Sequence, residues 1–365
     1  MNSSNNKFDC IIVGGGLIGL LSAYLISKQG RRVALLEHAT IGRESSWAGG
    51  GILSPLYPWR YPDAVSDLIT WSRQNWDDFI LQLQGESDID PQSIKSGMLV
   101  LDQEEHDIAA EWAKRFGVTM ERIDQQQLKL SEPALGQQPE HALWLPEIGQ
   151  VRNPRLLKSL HQAAIHTGVT IFEQQPVTQL STQQGKIKGV ISDQRHFYAP
   201  QVIIAAGAWS SKLLATAGYT LPVEPVRGQM VQFQADPTLL SHITLYQGRY
   251  VIPRRDGRVL AGSTIEYSGF DKSADPQTRE ALISAAVELV PALAGCDVLA
   301  HWAGLRPGSP EGIPTIGELK DISGLYINSG HFRNGVALSL ASCQLLSNLV
   351  LEQPTIIPAQ PYLPQ

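Results

Sequence analysis

The sequence predicts an α/β fold, of mixed α+β type over the whole chain, in which a parallel sheet alternates with an antiparallel sheet. Three observations lead to this prediction: a strand, helix and strand pattern over residues 8–37, amphipathic helices spread along the chain, and closely spaced strand-like runs over residues 230–263. With 365 residues, 43% of them hydrophobic, the chain is long enough for one large or two closely joined domains with buried cores.

The first strand, helix and strand lie within about thirty residues of the N-terminus. Residues 8–13 are an apolar run, residues 17–29 have helical spacing, and residues 32–37 are a second apolar run. Because a helical crossover returns the chain in the same direction, we expect the two strands to be parallel neighbours.

The later elements predict a second, antiparallel sheet. Apolar residues recur at helical spacing over residues 65–83, 104–116, 155–166, 279–290 and 336–351. Strand-like runs occupy residues 97–101, 143–146, 230–234, 242–246, 250–253 and 259–263. The pair Asp256 and Gly257 predicts a hairpin turn with positive φ angles. Residues 202–206 suit the first, parallel sheet.

This order predicts two discontinuous domains. Residues 1–90, 150–224 and 302–365 form the first domain, and residues 91–149 and 225–301 form the second. The proline-rich tail, residues 354–364, is expected to lie extended over the surface.

Charge and cysteine content exclude several functional classes. A formal net charge of -6 argues against a general attraction to nucleic acid or anionic lipid. Cys10, Cys296 and Cys343 are widely separated and form no CxxC motif or Cys/His cluster, which predicts neither disulfides nor a metal site and favours the cytoplasm. Residues 11–26 resemble a short membrane span or signal segment, but four glycines interrupt them, so we expect no membrane association.

A glycine motif follows the first strand and opens the first helix. Gly14, Gly16 and Gly19 fit G-x-G-x-x-G, and Glu37 ends the second strand. This context predicts a Rossmann-like dinucleotide site in which the glycines allow a tight turn, close backbone approach to a pyrophosphate and close helix packing, and Glu37 accepts hydrogen bonds from a ribose. Glycines that serve only packing are the alternative. The predicted cofactor residues here are Gly14, Gly16, Leu17, Ile18, Gly19 and Glu37.

Residues 38–52 are dense in small side chains and carry hydroxyls at Ser45 and Ser46. Such a segment can lie against a pyrophosphate and a flavin ring without clashing. An ordinary flexible surface loop is the alternative interpretation.

Several motifs resemble the D-amino-acid oxidase superfamily of FAD-dependent amine oxidases. They are residues 9–19, 35–37, 45–51 and 202–210, and residues 302–308 (WAGLRPG) and 330–336 (GHFRNGV) are closer still to the glycine oxidase family of ThiO type. The resemblance covers nearly the whole chain. It implies a Rossmann-like FAD-binding domain interleaved with an antiparallel-sheet substrate domain, and no cysteine lies at 302–314, where sarcosine oxidases attach FAD covalently, so we expect non-covalent FAD.

The resemblance also implies further cofactor contacts. The segment at Gly50 approaches the flavin ring, Val177 contacts the adenine through its backbone, and residues 333–336 run along the flavin pyrimidine edge at a helix N-terminus, where N–H groups stabilise negative charge. The full implied set is Gly50, Gly51, Ile52, Val177, Ala206, Gly207, Gly304, Arg306, His331, Arg333, Asn334, Gly335 and Val336.

Three side chains are expected at the substrate. Arg306 is the first choice for a bidentate carboxylate clamp, because guanidinium matches carboxylate geometry and stays charged. Tyr250 resembles the family tyrosine that assists the clamp, and Arg333 resembles the family arginine beside the substrate. Their alternatives are a structural ion pair for Arg306, a strand aromatic for Tyr250, and a role in flavin binding and folding for Arg333. No catalytic acid or base is assigned.

The expected reaction is FAD-dependent oxidative deamination of glycine or another small amine such as sarcosine or D-alanine. Hydride transfer to the flavin gives an imine and then a 2-oxo acid with ammonia or amine, and O2 is reduced to H2O2. The resemblance also implies thiamine biosynthesis and a homo-oligomer, by family tendency a homotetramer. A D-amino-acid or proline dehydrogenase using a quinone, and a non-catalytic flavin-binding protein, are the alternatives.

The chain departs from the family pattern near the expected pocket. Gly248 stands where glycine oxidases carry a histidine, and Ile52 and Ile265 stand where they carry methionines. These changes put the substrate range in doubt.

Overall fold

The computed structural model describes residues 7–365. Within them the helices are α1 (Leu17–Lys28), α2 (Ser45–Ala48), α3 (Asp63–Ser87), α4 (His106–Phe116), α5 (Gln125–Ser131), α6 (Asn153–His166), α7 (Ser210–Leu214), α8 (Pro276–Leu289) and α9 (Gly335–Val350). The strands are β1 (Cys10–Val13), β2 (Val33–Leu36), β3 (Met98–Val100), β4 (Glu121–Asp124), β5 (His141–Leu145), β6 (Thr170–Phe172), β7 (Val177–Gln183), β8 (Lys186–Ser192), β9 (Arg195–Tyr198), β10 (Gln201–Ile204), β11 (Glu224–Gln234), β12 (Ile243–Tyr246), β13 (Arg249–Pro253), β14 (Arg258–Gly262), β15 (Asp297–Gly308), β16 (Thr315–Glu318) and β17 (Leu325–Ser329).

The first sheet has six strands in the order β16, β17, β10, β1, β2 and β6. Strand β1 pairs in parallel with both β2 and β10, and β17 and β6 continue the parallel set, whereas β16 is antiparallel to β17. The predicted parallel pairing of the first two strands, and the place of residues 202–206 in their sheet, are confirmed. The four residues of β1 are all buried and apolar, as expected for a strand covered on both faces.

Different layers cover the two faces of this sheet. Helices α1, α3, α6 and α9 pack on one face around residues such as Leu20, Leu68 and Leu346. The three-stranded sheet of β7, β8 and β9 packs on the other face through Leu180, Val190 and other apolar side chains. Both faces are therefore buried, and the carboxyl ends of β1, β2 and β10 meet at one edge of the sheet.

The second sheet has eight strands in the order β15, β11, β14, β13, β12, β3, β5 and β4. The prediction of an antiparallel sheet holds for every neighbouring pair except β12 and β3, which are parallel. The parallel pair follows from the chain order, because β3 enters the sheet from α3, which packs on the first sheet, and not through a hairpin from β12. The predicted fold class is confirmed.

The turn between β13 and β14 differs in type from the prediction. The N–H of Arg254 donates to the carbonyl of Arg258 at 2.8 Å, so the loop has three residues. Only Gly257 has a positive φ, of 79°. This is the pattern of a type I turn with a glycine bulge, whereas two positive φ angles would require a two-residue loop.

The second sheet draws its strands from residues 98–145 and 224–308. The predicted domain division remains a proposal, and its boundary near residue 302 lies inside β15.

The C-terminal tail is anchored more firmly than predicted: Tyr362 is buried and its hydroxyl donates to the carbonyl of Ala64 at 2.7 Å. In the described part of the chain, no helix is both long and apolar enough to cross a membrane.

Candidate active site

A cavity of about 620 Å³ lies between the two sheets, within the range of about 300–1,000 Å³ that is usual for small-molecule and cofactor sites. It runs continuously from the loop at Gly14, at the carboxyl edge of the first sheet, to Arg306 on β15 of the second sheet. Segment 44–52 and the N-terminal ends of α1 and α9 complete its walls. Every predicted site residue except Gly19 lines this cavity, and their functional roles stay predictions.

The glycine loop has the conformation that its sequence predicts. Gly14 has a φ of 113°, and a Cβ on it would overlap the carbonyl oxygen of Ala205 on the neighbouring strand end. A Cβ on Gly19 would overlap the carbonyl oxygen of Gly14. Gly19 therefore contributes by letting α1 pack closely on β1, without reaching the cavity.

The carboxylate of Glu37 is aligned by the backbone at the cavity wall. Its Oε2 accepts from the N–H of Gly15 at 2.7 Å, and its Oε1 accepts from the N–H of Ala39 at 2.9 Å. The side chain is 5% exposed. Oε1 also lies 2.5 Å from His38 Nδ1. Oε2 retains capacity for another hydrogen bond, so Glu37 can still accept from a ligand hydroxyl.

Segment 45–52 is ordered by contacts from two directions. Residues 45–48 form the short helix α2, and residues 49–52 continue as a loop. The hydroxyl of Ser46 accepts from the N–H of Leu17 at 2.9 Å, at the first residue of α1, and the carbonyl of Ser46 accepts from Asn153 Nδ2 at 2.7 Å. Gly51 has a φ of 75°, and a Cβ there would overlap the carbonyl of Val151.

The start of α9 presents a buried polar group to the cavity. Asn334 is the N-cap residue of α9, and its buried Nδ2 has no hydrogen-bond partner. Arg333 beside it also lines the cavity. Backbone N–H groups at this helix end are not satisfied within the helix, so this wall offers donors to a ligand.

His331 belongs to a buried hydrogen-bond chain behind this wall. The hydroxyl of Ser342 donates to Asn328 Oδ1 at 2.6 Å, so it accepts from His331 Nε2 at 2.7 Å. Burial lowers the pKa of His331 to about 3. The ring is therefore neutral at physiological pH, with Nε2 as its protonated nitrogen.

Arg306 is a half-buried cation that forms no ion pair with any carboxylate of residues 7–365. Its Nη1 donates to the carbonyl of Thr264 at 2.9 Å, and its Nη2 donates to Ser263 Oγ at 2.8 Å. Gly228 makes room for it, because a Cβ there would overlap the guanidinium. Burial lowers the pKa of Arg306 to about 10, and Arg333 acts in the same direction. Arg306 is still charged at neutral pH.

Tyr250 lies on β13 with its ring against Gly50, the middle residue of the glycine segment, residues 49–51. A Cβ on Gly50 would lie 3.5 Å from Tyr250 Cε2 and 3.6 Å from its hydroxyl. The hydroxyl contacts Met230 Sδ at 3.7 Å, and sulfur is only a weak acceptor. The hydroxyl therefore remains available to a ligand in the cavity.

The chain matches the model of the family described as FAD dependent oxidoreductase over residues 9–349. It belongs to this family. The prediction of an FAD-dependent oxidoreductase is thereby confirmed.

Named relatives agree with this assignment over the full length of the oxidoreductase. A glycine oxidase of Pseudomonas putida is 43% identical over 97% of this chain and 98% of its own. The bifunctional protein ThiO/ThiG of Synechocystis is 31% identical over 94% of this chain and 52% of its own. The crystal structure of glycine oxidase from Geobacillus kaustophilus superposes with a TM-score of 0.93 at 28% identity, covering 98% of both chains. The predicted resemblance to glycine oxidases is confirmed.

The cavity of this FAD-dependent oxidoreductase fits its cofactor. Two buried polar atoms on its lining residues lack partners, the donor Asn334 Nδ2 and the acceptor Asn153 Oδ1. Gly207 also lines it, and a Cβ there would meet no atom within 4 Å. FAD carries both donors and acceptors, and a cavity with open space beside orphaned buried groups suits such a ligand.

Some residues of this oxidoreductase were missed by sequence reasoning. Asn153 opens α6, and Ser263 supports Arg306; neither belongs to a recognisable motif, although Asn153 directly precedes a proline at the start of a helix, a common N-terminal signal. Of the three departures from the family pattern, Ile52 lines the cavity, whereas Gly248 and Ile265 are not among the described residues that line it, and Ile265 is 46% exposed.

Two side chains next to the Arg306 motif, His301 and Trp302, do not line the cavity. Trp302 Nε1 donates to the carbonyl of Ala48 at 3.0 Å, and its ring packs edge-on against Trp47. His301 Nε2 is buried without a partner, and the residue is not among those described at the cavity wall.

Proposed function

We propose that this FAD-dependent oxidoreductase catalyses oxidative deamination of glycine or a comparably small amine, such as sarcosine or D-alanine. The products are the imine, its hydrolysis product the 2-oxo acid, ammonia or amine, and H2O2 formed from O2. The observation that carries the proposal is Arg306, a half-buried guanidinium that lines the cavity and has no carboxylate partner among the described residues. The choice of glycine is supported by the relatives named glycine oxidase.

The argument for Arg306 is electrostatic. Burying a cation costs several kcal/mol, roughly, unless an anion or well-placed acceptors compensate it. Three neutral acceptors, the carbonyls of Thr264 and Arg227 and the Oγ of Ser263, hold the guanidinium in place. A substrate carboxylate supplies the missing charge, and the planar fork matches its two oxygens.

Tyr250 and Arg333 then restrict the position of the substrate. Both line the same cavity as Arg306, and the Tyr250 hydroxyl has only a weak described acceptor at Met230. We propose that this hydroxyl donates to the bound carboxylate and that the backbone of Arg333 accepts from the amine. Fixing the carboxylate and the amine together orients the α C–H bond, which is the main requirement of this chemistry.

Backbone and small side chains hold the cofactor in this proposal. Glu37 accepts from the ribose, the N-terminus of α1 faces the pyrophosphate, and residues 333–336 face the pyrimidine edge of the flavin. Bound FAD supplies the two-electron oxidation of the carbon–nitrogen bond and the reaction with O2. No residue is assigned as a general base, because a neutral amine needs none before oxidation.

Several expectations stay proposals. A role in thiazole formation is supported by the similarity to the ThiO/ThiG protein. The homo-oligomer and the cytoplasmic location also remain predictions.

The proposal is tested by anaerobic reduction of the purified holoenzyme. Glycine, sarcosine, D-alanine, D-proline and glycolate are mixed separately with the protein while the oxidised flavin absorbance is followed, and air is then admitted. We expect glycine or sarcosine to bleach the flavin rapidly, and air to restore it with formation of peroxide. Bleaching without recovery in air would favour a quinone-dependent dehydrogenase, and no bleaching by any amine would overturn the proposal.

A further inference from the structure

A second buried arginine, Arg254, lies behind the cavity wall. It follows β13 directly, and its backbone closes the β13–β14 hairpin. The side chain is 8% exposed, and Arg254 is not among the described residues that line the cavity. It therefore lies one layer behind the surface that faces the cofactor.

The guanidinium of Arg254 joins segments that are far apart in sequence. Its Nη2 donates to the carbonyl of Gly50 at 2.7 Å. Its Nη1 donates to Gln150 Oε1 at 2.6 Å and to the carbonyl of Val151 at 3.1 Å. Arg254 thus fixes the glycine segment of the first domain to the end of a strand in the second sheet.

The two anchored segments also pair with each other. The N–H of Val151 donates to the carbonyl of Gly51 at 2.8 Å, and the N–H of Leu53 donates to the carbonyl of Gly149 at 2.9 Å. Arg254 binds at the end of this short ladder. There the carbonyl groups of Gly50 and Val151 accept no hydrogen bond from the opposite segment, and the guanidinium donates to both. A forked donor suits this place, because one side chain reaches three acceptors.

Gly50 is the residue through which Arg254 reaches the site. Gly50 lines the cavity, and a Cβ on it would lie 2.7 Å from Ile252 Cδ1 and 3.6 Å from the Tyr250 hydroxyl. The glycine segment is therefore enclosed between the cavity and β13. A shift of Gly50 would change the contact with the cofactor and with Tyr250 together.

Arg254 has no ion pair with a carboxylate among residues 7–365. Asp256, the acid on the same hairpin, pairs with Arg152 and Arg258 at 2.8 Å and 2.6 Å. Burial, together with the charge of Arg152, lowers the pKa of Arg254 to about 10, so it is charged at neutral pH. A buried cation of this kind costs stability that an apolar side chain of similar volume would not.

We infer that Arg254 is a positioning residue that fixes the glycine segment against bound FAD and places a permanent positive charge behind it. The charge favours the reduced cofactor, which is more negative than the oxidised one. The inference rests on the FAD-dependent family of the chain and goes beyond the proposed substrate, on which it does not depend.

The experiment compares holoenzymes of the wild type with Arg254→Met, Arg254→Lys and Arg255→Met. Methionine removes the charge and the fork, lysine keeps the charge but has a single ammonium, and Arg255 is the exposed neighbour on the same hairpin, 3.6 Å from Asp90. The measurements are the two-electron reduction potential of the flavin against a reference dye, the visible circular dichroism of bound FAD, and the melting temperature.

We expect Arg254→Met to shift the reduction equilibrium about tenfold towards the oxidised flavin, which is about 30 mV for a two-electron couple, and to change the circular dichroism. Arg254→Lys restores the potential but not the circular dichroism, and Arg255→Met changes neither.

A wild-type potential and circular dichroism in Arg254→Met would overturn the inference, whatever happens to its melting temperature. If the methionine variant does not fold, Arg254→Lys decides, because a wild-type circular dichroism there would contradict the positioning role. These readouts use no amine substrate, so failure of the proposed substrate assignment leaves them unchanged.

Discussion

The two ends of the cavity are built in different ways. At the end proposed to hold the nucleotide, Gly14, Gly16 and the start of α1 present backbone to the cavity, and side chains such as Ser46 only complete the surface. At the other end, Arg306 and Tyr250 present functional groups of their own from two strands. Apart from the carboxylate of Glu37, the first end depends on the absence of side chains, whereas the second depends on particular ones.

This difference predicts which property of the enzyme changes when a residue at each end is substituted. A larger side chain at the nucleotide end pushes a helix and a strand apart, and many backbone groups of the cavity wall move with them. A substitution at the substrate end removes one group and leaves the cavity otherwise intact. The first should change FAD affinity and stability together, and the second should change turnover while FAD stays bound.

The largest expected effect is that of Arg306→Met. We expect kcat/KM for carboxylate substrates to fall about 10³-fold, or about 4 kcal/mol, because truncating one member of a buried charge pair costs free energy of this order. FAD occupancy should remain complete, and steady-state kinetics with the flavin absorbance measure both quantities.

Two further variants test whether this loss is specific to the guanidinium of Arg306. Arg306→Lys keeps the charge and loses the fork, so we expect an intermediate loss. Arg115→Met removes an exposed arginine paired with Asp63 on the surface and should leave kcat/KM unchanged. An unchanged kcat/KM in Arg306→Met would refute the carboxylate clamp.

The second expected effect is that of Gly19→Ala at the nucleotide end. Its Cβ would overlap the carbonyl oxygen of Gly14, so α1 must move away from β1 at a cost of about 1–3 kcal/mol. We expect FAD affinity to fall by roughly 10- to 100-fold, in line with that cost, and the melting temperature of the apoprotein to fall as well.

Gly85→Ala is the matched control, since Gly85 is also helical but a Cβ there meets no atom within 4 Å. We expect this control to stabilise the protein by about 0.5–1 kcal/mol, because alanine is the better helix former. Isothermal titration of the apoproteins with FAD distinguishes the two, and equal affinities would show that helix packing does not shape the nucleotide end.

The smallest expected effect is that of Tyr250→Phe. Among the described residues, the lost hydroxyl donates a hydrogen bond only to the weak acceptor Met230 Sδ, so the melting temperature should hardly change. We expect kcat/KM to fall about tenfold, which corresponds to about 1.4 kcal/mol and lies within the usual contribution of one hydrogen bond. A fall in melting temperature with unchanged kinetics would instead support the alternative of a half-buried strand aromatic.

Elements with a strong local pattern were predicted from the sequence. Helix α1 and its flanking strands are found within a few residues of their predicted bounds, because hydrophobic period and glycine spacing are properties of adjacent residues. The three-stranded sheet of β7, β8 and β9 was missed. Its first strand buries only Leu180 fully among seven mostly polar residues, so no apolar run marks it.

The substrate end was less accessible to sequence reasoning. The family resemblance pointed to Arg306, but nothing in its local sequence distinguishes it from Arg254. Arg306 directly precedes a proline, and Arg254 directly follows one. Arg254 is buried and Arg306 is half-buried, and the pKa of each is lowered to about 10. Only the folded chain shows that Arg306 lines the cavity and that Arg254 lies behind it.

The sequence by itself determined the dinucleotide loop, the parallel start of the first sheet and the class of cofactor, because these follow from spacings within about thirty residues that backbone geometry imposes. The tertiary structure decided which side chains meet. Gly50 and Arg254 are 204 residues apart in the chain, and Asn153 reaches Ser46 across 107 residues. Contacts over such distances depend on how two sheets pack, and no local pattern encodes that packing.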